Sequence, residues 1–195
     1  MRSASVERNT TETQIYLSLN IDGTGHADVE TEIGFLDHML ALFARHSGCN
    51  LNIRAHGDIH VDAHHLTEDT GIALGMAIHQ ALGEKRGIRR YGDILLPMDE
   101  ALMCVAVDCS GRPFFVWDVT LKQPKIGLWD SELAEDFFRA LAMNAGLTLH
   151  MRMLSGTNSH HIVEAAFKGC ARALREAFTL DPNENGVPST KGTLS

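Results

Sequence analysis

The pentapeptide His64-His65-Leu66-Thr67-Glu68 has a second copy of its pattern near the other end of the chain, His160-His161-Ile162-Val163-Glu164. In a helix with about 3.6 residues per turn, the first His and the Glu share a face, and the second His points roughly 100° away. Imidazole and carboxylate together suit Zn, Mn, Fe or Ni better than Mg or Ca. The pattern therefore predicts a duplicated metal-binding half-domain. Each motif can serve two neighbouring ions, or one ion and a hydrogen-bond acceptor.

The similarity between the two halves extends upstream of both motifs. Residues 35–40 align with residues 133–138, and the alignment continues without a gap through the segment that follows. Two residues must then be dropped before the His-His pairs coincide. This alignment places His38 opposite Asp136, and both side chains can bind a metal ion. Each repeat is therefore predicted to contain a helix, a strand and a motif-bearing helix, with pseudo-symmetric sets of ligands.

Alternation of apolar residues and turn signals divide the rest of the chain into strands and helices. Strands are predicted at residues 14–21, 27–31, 51–55, 93–96, 101–108 and 114–121, and the helices outside the motifs at 35–46 and 131–144. This order favours an α+β sandwich, with helices packed together and sheets outside. The expected boundaries are 1–90 for the first half-domain, 91–180 for the second and 181–195 for a tail. The tail is rich in Pro, Gly, Asn, Ser and Thr, which is typical of a mobile tail or lid.

Composition limits the class of protein. A chain of 195 residues suffices for one large domain or two fused halves, and 44% hydrophobic with 22% charged residues is typical of a soluble globular protein. A formal charge of −8 argues against nucleic acid as the main partner. The sequence shows neither the apolar core of a signal peptide nor the roughly 20 apolar residues of a membrane span. We therefore expect a cytoplasmic protein.

Several short segments, taken in order, resemble the imidazoleglycerol-phosphate dehydratase family of histidine biosynthesis, from about Arg8 to Leu194. Besides the two motifs, the matching segments are residues 8–13, 34–40, 57–58, 62–69, 97–100, 108–113 and 189–192. The resemblance implies duplicated β-β-α-β-α half-domains, with a four-helix bundle sandwiched between two four-stranded sheets. It also implies a homo-oligomer, typically of 24 subunits, whose active sites lie between subunits and hold two Mn²⁺ ions each.

The resemblance assigns metal ligation to both motifs and to the helix that precedes each of them. The implied ligands are His38, His64, His65, Glu68, Asp136, His160, His161 and Glu164. Asp136 departs from the family pattern, because many members have His at this position. Its oxygen can still bind manganese, either directly, through water or with a shifted ion.

The implied reaction converts D-erythro-imidazoleglycerol phosphate to imidazole acetol phosphate, as a carbon–oxygen lyase, through a metal-bound imidazolate intermediate. Metal ions on opposite ring nitrogens help the ring to expel the adjacent hydroxyl group and make the neighbouring C–H more acidic. Glu12 is the first candidate for handling the leaving hydroxyl, and Glu68 or Glu164 can take the C–H proton. Asp62 and Asp69 are expected to orient ligating imidazoles.

The substrate phosphate requires cations and hydrogen-bond donors. Arg90 and Arg112 follow turn-prone stretches, and a guanidinium matches phosphate oxygens. Lys168 lies one helical turn after Glu164 and can reach the metal site. On the tail, hydroxyls and an ammonium come from Ser189, Thr190 and Lys191, and we expect this segment to close over the substrate.

Two other functions remain compatible with the repeated motif. A dinuclear hydrolase acting on a phosphate or amide would use metal-bound hydroxide without needing an imidazole on the substrate. A manganese-storage or metal-dependent assembly protein would use its ions only to hold subunits together. Glu12, Arg112 and the Ser-Thr-Lys segment of the tail favour the dehydratase. Metal identity stays open, since the same ligands accept zinc or iron.

Overall fold

The computed structural model of the protein describes residues 2–194. Its strands are β1 (Ser3–Asn9), β2 (Thr13–Asn20), β3 (Ala27–Glu30), β4 (Asn50–Gly57), β5 (Tyr91–Met98), β6 (Ala101–Asp108), β7 (Phe114–Asp118), β8 (Lys125–Ile126), β9 (Trp129–Asp130) and β10 (Thr148–Ser155). The helices are α1 (Gly34–Ser47), α2 (His64–Leu82), α3 (Leu133–Ala145) and α4 (Ser159–Phe178). Within residues 2–194, none of these helices combines the length and the apolar character that crossing a membrane requires.

The two main sheets have the same topology. Their strand orders are β1-β2-β4-β3 and β5-β6-β10-β7. In each sheet the first three strands are antiparallel neighbours, whereas the last strand runs parallel to the one beside it. The four helices lie between these sheets, because α2 packs on β1 and β2 while α4 packs on β5 and β6. The predicted four-helix layer between two four-stranded sheets is confirmed.

The structure adds one strand to the predicted order of the first half and a two-stranded hairpin to that of the second. In the first half this strand is β1, where Val6 is the single buried residue, so that period-two alternation is hardly visible in the sequence. In the second half, the predicted strand 114–121 ends at Asp118. The chain then forms the short β8–β9 hairpin, which buries Trp129.

Helix packing joins the two halves. Helix α1 packs on α4 and α2 packs on α3, so each of these contacts combines one helix from each half of the chain. The centre contains the fully buried rings of Phe137, Phe138 and Phe167, with centroids 4.6–5.4 Å apart. Burying a side chain of this size contributes roughly 1.5–3 kcal/mol. This packing fixes the first turns of α2 and α4 beside α3 and α1.

Equivalent glycines end the first helix of each half. Gly48 after α1 and Gly146 after α3 adopt left-handed backbone conformations, with φ of 79° and 67°. Their N–H groups donate to the carbonyls of Ala44 and Ala142, which closes the helix end before the next strand. The repeat inferred from aligned residues is thus repeated in backbone geometry.

The α2–α3 contact depends on two glycines of α2. A Cβ at Gly71 would lie 2.7 Å from the carbonyl oxygen of Phe137, and one at Gly75 would lie 2.6 Å from that of Leu141. Both obstacles are backbone atoms, so the helices could accept a methyl group only by moving apart.

We therefore expect Gly75→Ala to lower the free energy of unfolding by about 1–3 kcal/mol, the usual cost of overpacking a core. Thermal or denaturant unfolding measures the change. Gly34→Ala is the matched control, because nothing lies within 4 Å of its Cβ position at the exposed start of α1. Equal stability of the two variants would contradict the tight α2–α3 contact.

Candidate active site

The first group of possible metal ligands joins α1 to α4, and we call it the α4 triad: His38, His160 and Glu164. One ligand atom from each residue lies within 4.8 Å of the others. Glu164 Oε2 lies 3.1 Å from His160 Nε2 and 3.8 Å from His38 Nε2. The other oxygen, Oε1, lies 2.5 Å from Lys168 Nζ. Lys168 therefore fixes a buried carboxylate with one oxygen facing two imidazoles.

Burial and pairing act on Glu164 in opposite directions. Burial alone would raise the pKa of its carboxyl group, but hydrogen bonds and charge from Lys168 and His160 hold this pKa below its usual value. The carboxylate is thus ionised in the form that a metal ion requires.

The second group joins α2 to α3, and we call it the α2 triad: His64, Glu68 and Asp136. His64 Nδ1 lies 3.5 Å from Asp136 Oδ2, and His64 Nε2 lies 3.8 Å from Glu68 Oε2. Each triad takes two residues from a motif helix and one from the helix that packs against it. The alignment of His38 with Asp136 therefore corresponds to equivalent positions in space.

The second histidines of the motifs point away from their own triads. His65 Nδ1 lies 3.0 Å from Asp58 Oδ2, and its Nε2 lies 3.8 Å from Glu12 Oε1. His161 Nδ1 lies 2.8 Å from Glu100 Oε2. The hydrogen bond that His65 donates to Asp58 raises the pKa of His65, and the one that His161 donates to Glu100 raises the pKa of His161. In both histidines, Nε2 lies on the opposite side of the ring from the carboxylate that Nδ1 contacts.

Glu100 organises the start of α4, a role that its position in a predicted turn does not indicate. Its Oε1 accepts hydrogen bonds from the backbone N–H groups of Thr157 and Asn158, at 3.0 and 2.7 Å. The Asn158 side chain in turn accepts from the N–H groups of His160 and His161. The bonds from His161, Asn158 and Thr157 hold the pKa of Glu100 far below its usual range. The signal available in the sequence was the match of residues 97–100 to the family pattern.

Trp129 is another supporting residue that the sequence did not reveal. Its indole N–H donates to Thr67 Oγ1 on α2 at 3.2 Å. Its ring lies 5.0 Å from that of Phe35, which meets the His160 ring edge-on at 5.2 Å. The β8–β9 hairpin therefore contacts α2 directly and reaches the start of α4 through Phe35 of α1.

The expected roles of Asp62 and Asp69 are wrong. Asp62 Oδ1 accepts from the backbone N–H of His64 at 2.7 Å, so it stabilises the start of α2 instead of an imidazole. Asp69 accepts from Arg8 at 2.7 Å and from the Thr13 hydroxyl at 2.5 Å. This buried network ties β1 and β2 to α2 and fixes the turn that contains Glu12.

Most of the predicted phosphate-binding residues line one cavity of about 720 Å³: Arg90, Arg112, Ser189, Thr190 and Lys191. Asp108 pairs with Arg90 at 2.7 Å, which raises the pKa of that guanidinium, and Arg90 also donates to the carbonyl of Pro188. The tail is packed here, since its Gly186 carbonyl accepts from Gly87 N–H at 2.8 Å. Lys168 is not part of this lining.

The cavity and the α4 triad lie at opposite ends of α4. Arg90 donates its backbone N–H to Ala177, near the end of the helix, whereas His160 lies in its first turn. With a rise of about 1.5 Å per residue, this separation along the helix is ~25 Å.

Comparison with known proteins identifies the family. The imidazoleglycerol-phosphate dehydratase model matches residues 31–174. The chain is 59% identical over 195 residues to the imidazoleglycerol-phosphate dehydratase of Methylorubrum populi, covering 100% of both chains. The chain belongs to the imidazoleglycerol-phosphate dehydratase family.

Solved structures of this family have the same fold. The Staphylococcus aureus imidazoleglycerol-phosphate dehydratase superposes with a TM-score of 0.84 at 42% identity, covering 92% of this chain and 99% of that one. The Pyrococcus furiosus enzyme also gives 0.84, at 40% identity, covering 97% and 100%.

Family membership sets the class of reaction. An imidazoleglycerol-phosphate dehydratase is a lyase of histidine biosynthesis, and the cationic cavity is consistent with a small phosphate substrate. The family also implies a metal cofactor. The α4 triad fits one, because two imidazoles and a buried carboxylate converge on a common point.

The carboxylate paired with the second histidine of each motif should control the pKa of that histidine in metal-free protein. Glu100→Gln should lower the pKa of His161 and leave that of His65 unchanged, while Asp58→Asn should do the reverse. The sign follows because each carboxylate favours the protonated imidazole, so the wild-type histidine stays charged to higher pH. NMR titration of histidine ring signals measures both groups in each variant. Equal shifts of the two histidines in one variant would contradict the separate pairs.

Proposed function

We propose that the protein catalyses the metal-dependent dehydration of D-erythro-imidazoleglycerol phosphate to imidazole acetol phosphate. The observation that supports this most directly is the α4 triad, whose ligand atoms converge, together with the α2 triad at the equivalent helix interface. A storage protein would need the triads alone. The additional presence of Glu12 and of a separate cationic cavity favours catalysis on a phosphate substrate.

We further propose two Mn²⁺ ions per active site, held by the α4 triad and the α2 triad. His65 and His161 would complete the ligand set. Their Nε2 atoms face away from the triads of their own motifs, so in the proposed assembly each would bind an ion that another triad holds. Ions held by these residues would supply Lewis acidity that favours the imidazolate form of the substrate ring.

The carboxylates differ in their availability for proton transfer. Glu12 and Glu68 have side chains that are 51% and 47% exposed, so both can meet a substrate. Glu164 is buried, and both of its oxygens contact neighbouring side chains. We therefore assign to Glu12 the donation of the proton with which the hydroxyl leaves as water. The C–H proton would go to the oxygen of Glu68 that does not hold the metal, while Glu164 would serve only as a ligand.

The phosphate-binding role falls to the cavity beside the tail. Arg90 and Arg112 offer guanidinium groups, and Ser189, Thr190 and Lys191 add hydroxyls and an ammonium from the other wall. Lys168 would act at the metal end of the substrate, where it contacts Glu164.

The distance between these regions supports an assembly with shared active sites. A three-carbon phosphate ester cannot bridge the ~25 Å length of α4 that separates the α4 triad from the cavity within one subunit. Ligands from one subunit and the cavity of another would together complete a site. We therefore propose a homo-oligomer in the cytoplasm, with 24 subunits as in the family. Each subunit would consist of half-domains 1–90 and 91–180 and a substrate-binding tail, 181–195.

The first experiment is to incubate manganese-loaded protein with imidazoleglycerol phosphate and to follow the enolisable ketone, with metal-free protein as control. We expect product only with metal. Glu12→Gln should lower kcat by about 10²–10⁴-fold, the usual contribution of general acid–base catalysis, without loss of bound metal. Phosphate release without ketone would favour the hydrolase. Metal-dependent assembly without turnover would favour the storage protein.

Substitution of an arginine that lines the cavity should weaken binding of the substrate phosphate. Arg112→Met should raise KM by roughly 10–100-fold, because a hydrogen bond to a charged group contributes about 1.5–3 kcal/mol. Steady-state kinetics measure this change. Arg152→Met is the matched control, since Arg152 forms an exposed ion pair with Asp118. An unchanged KM in Arg112→Met would exclude the cavity from phosphate binding.

A further inference from the structure

The two triads occupy equivalent positions but offer different donor atoms. The α4 triad has two imidazoles and one carboxylate, whereas the α2 triad has one imidazole and two carboxylates. The whole difference comes from one aligned pair, His38 and Asp136. His65 and His161 would each add one imidazole, so they leave the difference unchanged.

The triads also differ in how firmly their ligands are positioned. In the α4 triad, Glu164 is buried and Lys168 fixes its orientation. The aligned position on α2 is Ile72, which offers Glu68 no ion pair. The side chains of Glu68 and Asp136 are 47% and 34% exposed. Asp136 faces Nδ1 of His64 and Glu68 faces its Nε2, so the ligand atoms of the α2 triad do not converge as those of the α4 triad do.

Charge separates the triads further. Ionised Glu68 and Asp136 give the α2 triad two negative charges, whereas Lys168 neutralises the single carboxylate of the α4 triad. Imidazole-rich sites favour zinc and nickel, while carboxylate-rich sites favour manganese and magnesium.

We propose that the two metal positions differ in selectivity, with the α4 triad exchanging manganese for zinc readily and the α2 triad retaining manganese, and that Asp136 sets this difference. The inference rests on the proposed two-metal site. It predicts an enzyme that can hold zinc and manganese side by side within one active site.

The test is a zinc titration of the manganese-loaded assembled protein, in which released Mn²⁺ is followed by its solution EPR signal. We expect two phases, with half of the bound manganese released well before the rest. Asp136→His should merge them into a single early phase, because it makes the donor sets alike. His38→Asp should shift the early phase to higher zinc concentration. Asp118→His is the control, since it adds an imidazole at an exposed site on β7.

The outcomes separate this inference from the proposed activity. Two phases in a protein without turnover would support unequal metal positions and reject the dehydratase reaction. Turnover with a single phase in the wild-type protein, or two phases that persist in Asp136→His, would overturn the role of Asp136. Binding of fewer than two manganese ions per active site would also overturn it.

Discussion

The close packing of helices from opposite halves is the constraint on which the site depends. Helix α2 approaches α3 so closely at Gly71 and Gly75 that a methyl group would meet backbone atoms. Each triad takes ligands from both sides of such a contact, because α1 faces α4 and α2 faces α3. Any shift between the halves would therefore separate the ligands within both triads, since packed interiors do not deform continuously.

Charge compensation is the second requirement for bringing these groups together. Glu164 is buried beside two histidines, and Lys168 stabilises its ionised form. Glu100 and Asp58 each hold one ring nitrogen of a second histidine. The equivalence between halves is incomplete here. Asp58 follows β4 in the first half, whereas Glu100 comes from the β5–β6 turn in the second. A similar orientation of the two imidazoles thus arises from different parts of the fold.

Helix α4 separates the α4 triad from the cationic cavity within one subunit. The triad lies at its first turn, and the cavity lined by Arg90 and the tail lies beyond its last. A helix is a rigid spacer of fixed length, so this distance cannot close by local motion. Assembly is therefore the physically reasonable way to place both functions on one small substrate.

The sequence by itself determined the repeat, the two motif helices, the pairing of His38 with Asp136 and most of the cationic residues that line the cavity beside the tail. These features are local patterns, and helical periodicity or residue type is sufficient to read them. Only the tertiary structure decided how Glu100 and Trp129 support the motif helices, and that Asp69 holds β1 and β2 instead of an imidazole. It also placed the tail at the far end of α4. The physical reason is that these contacts form between segments distant in the chain, where packing and burial select partners that no local pattern specifies.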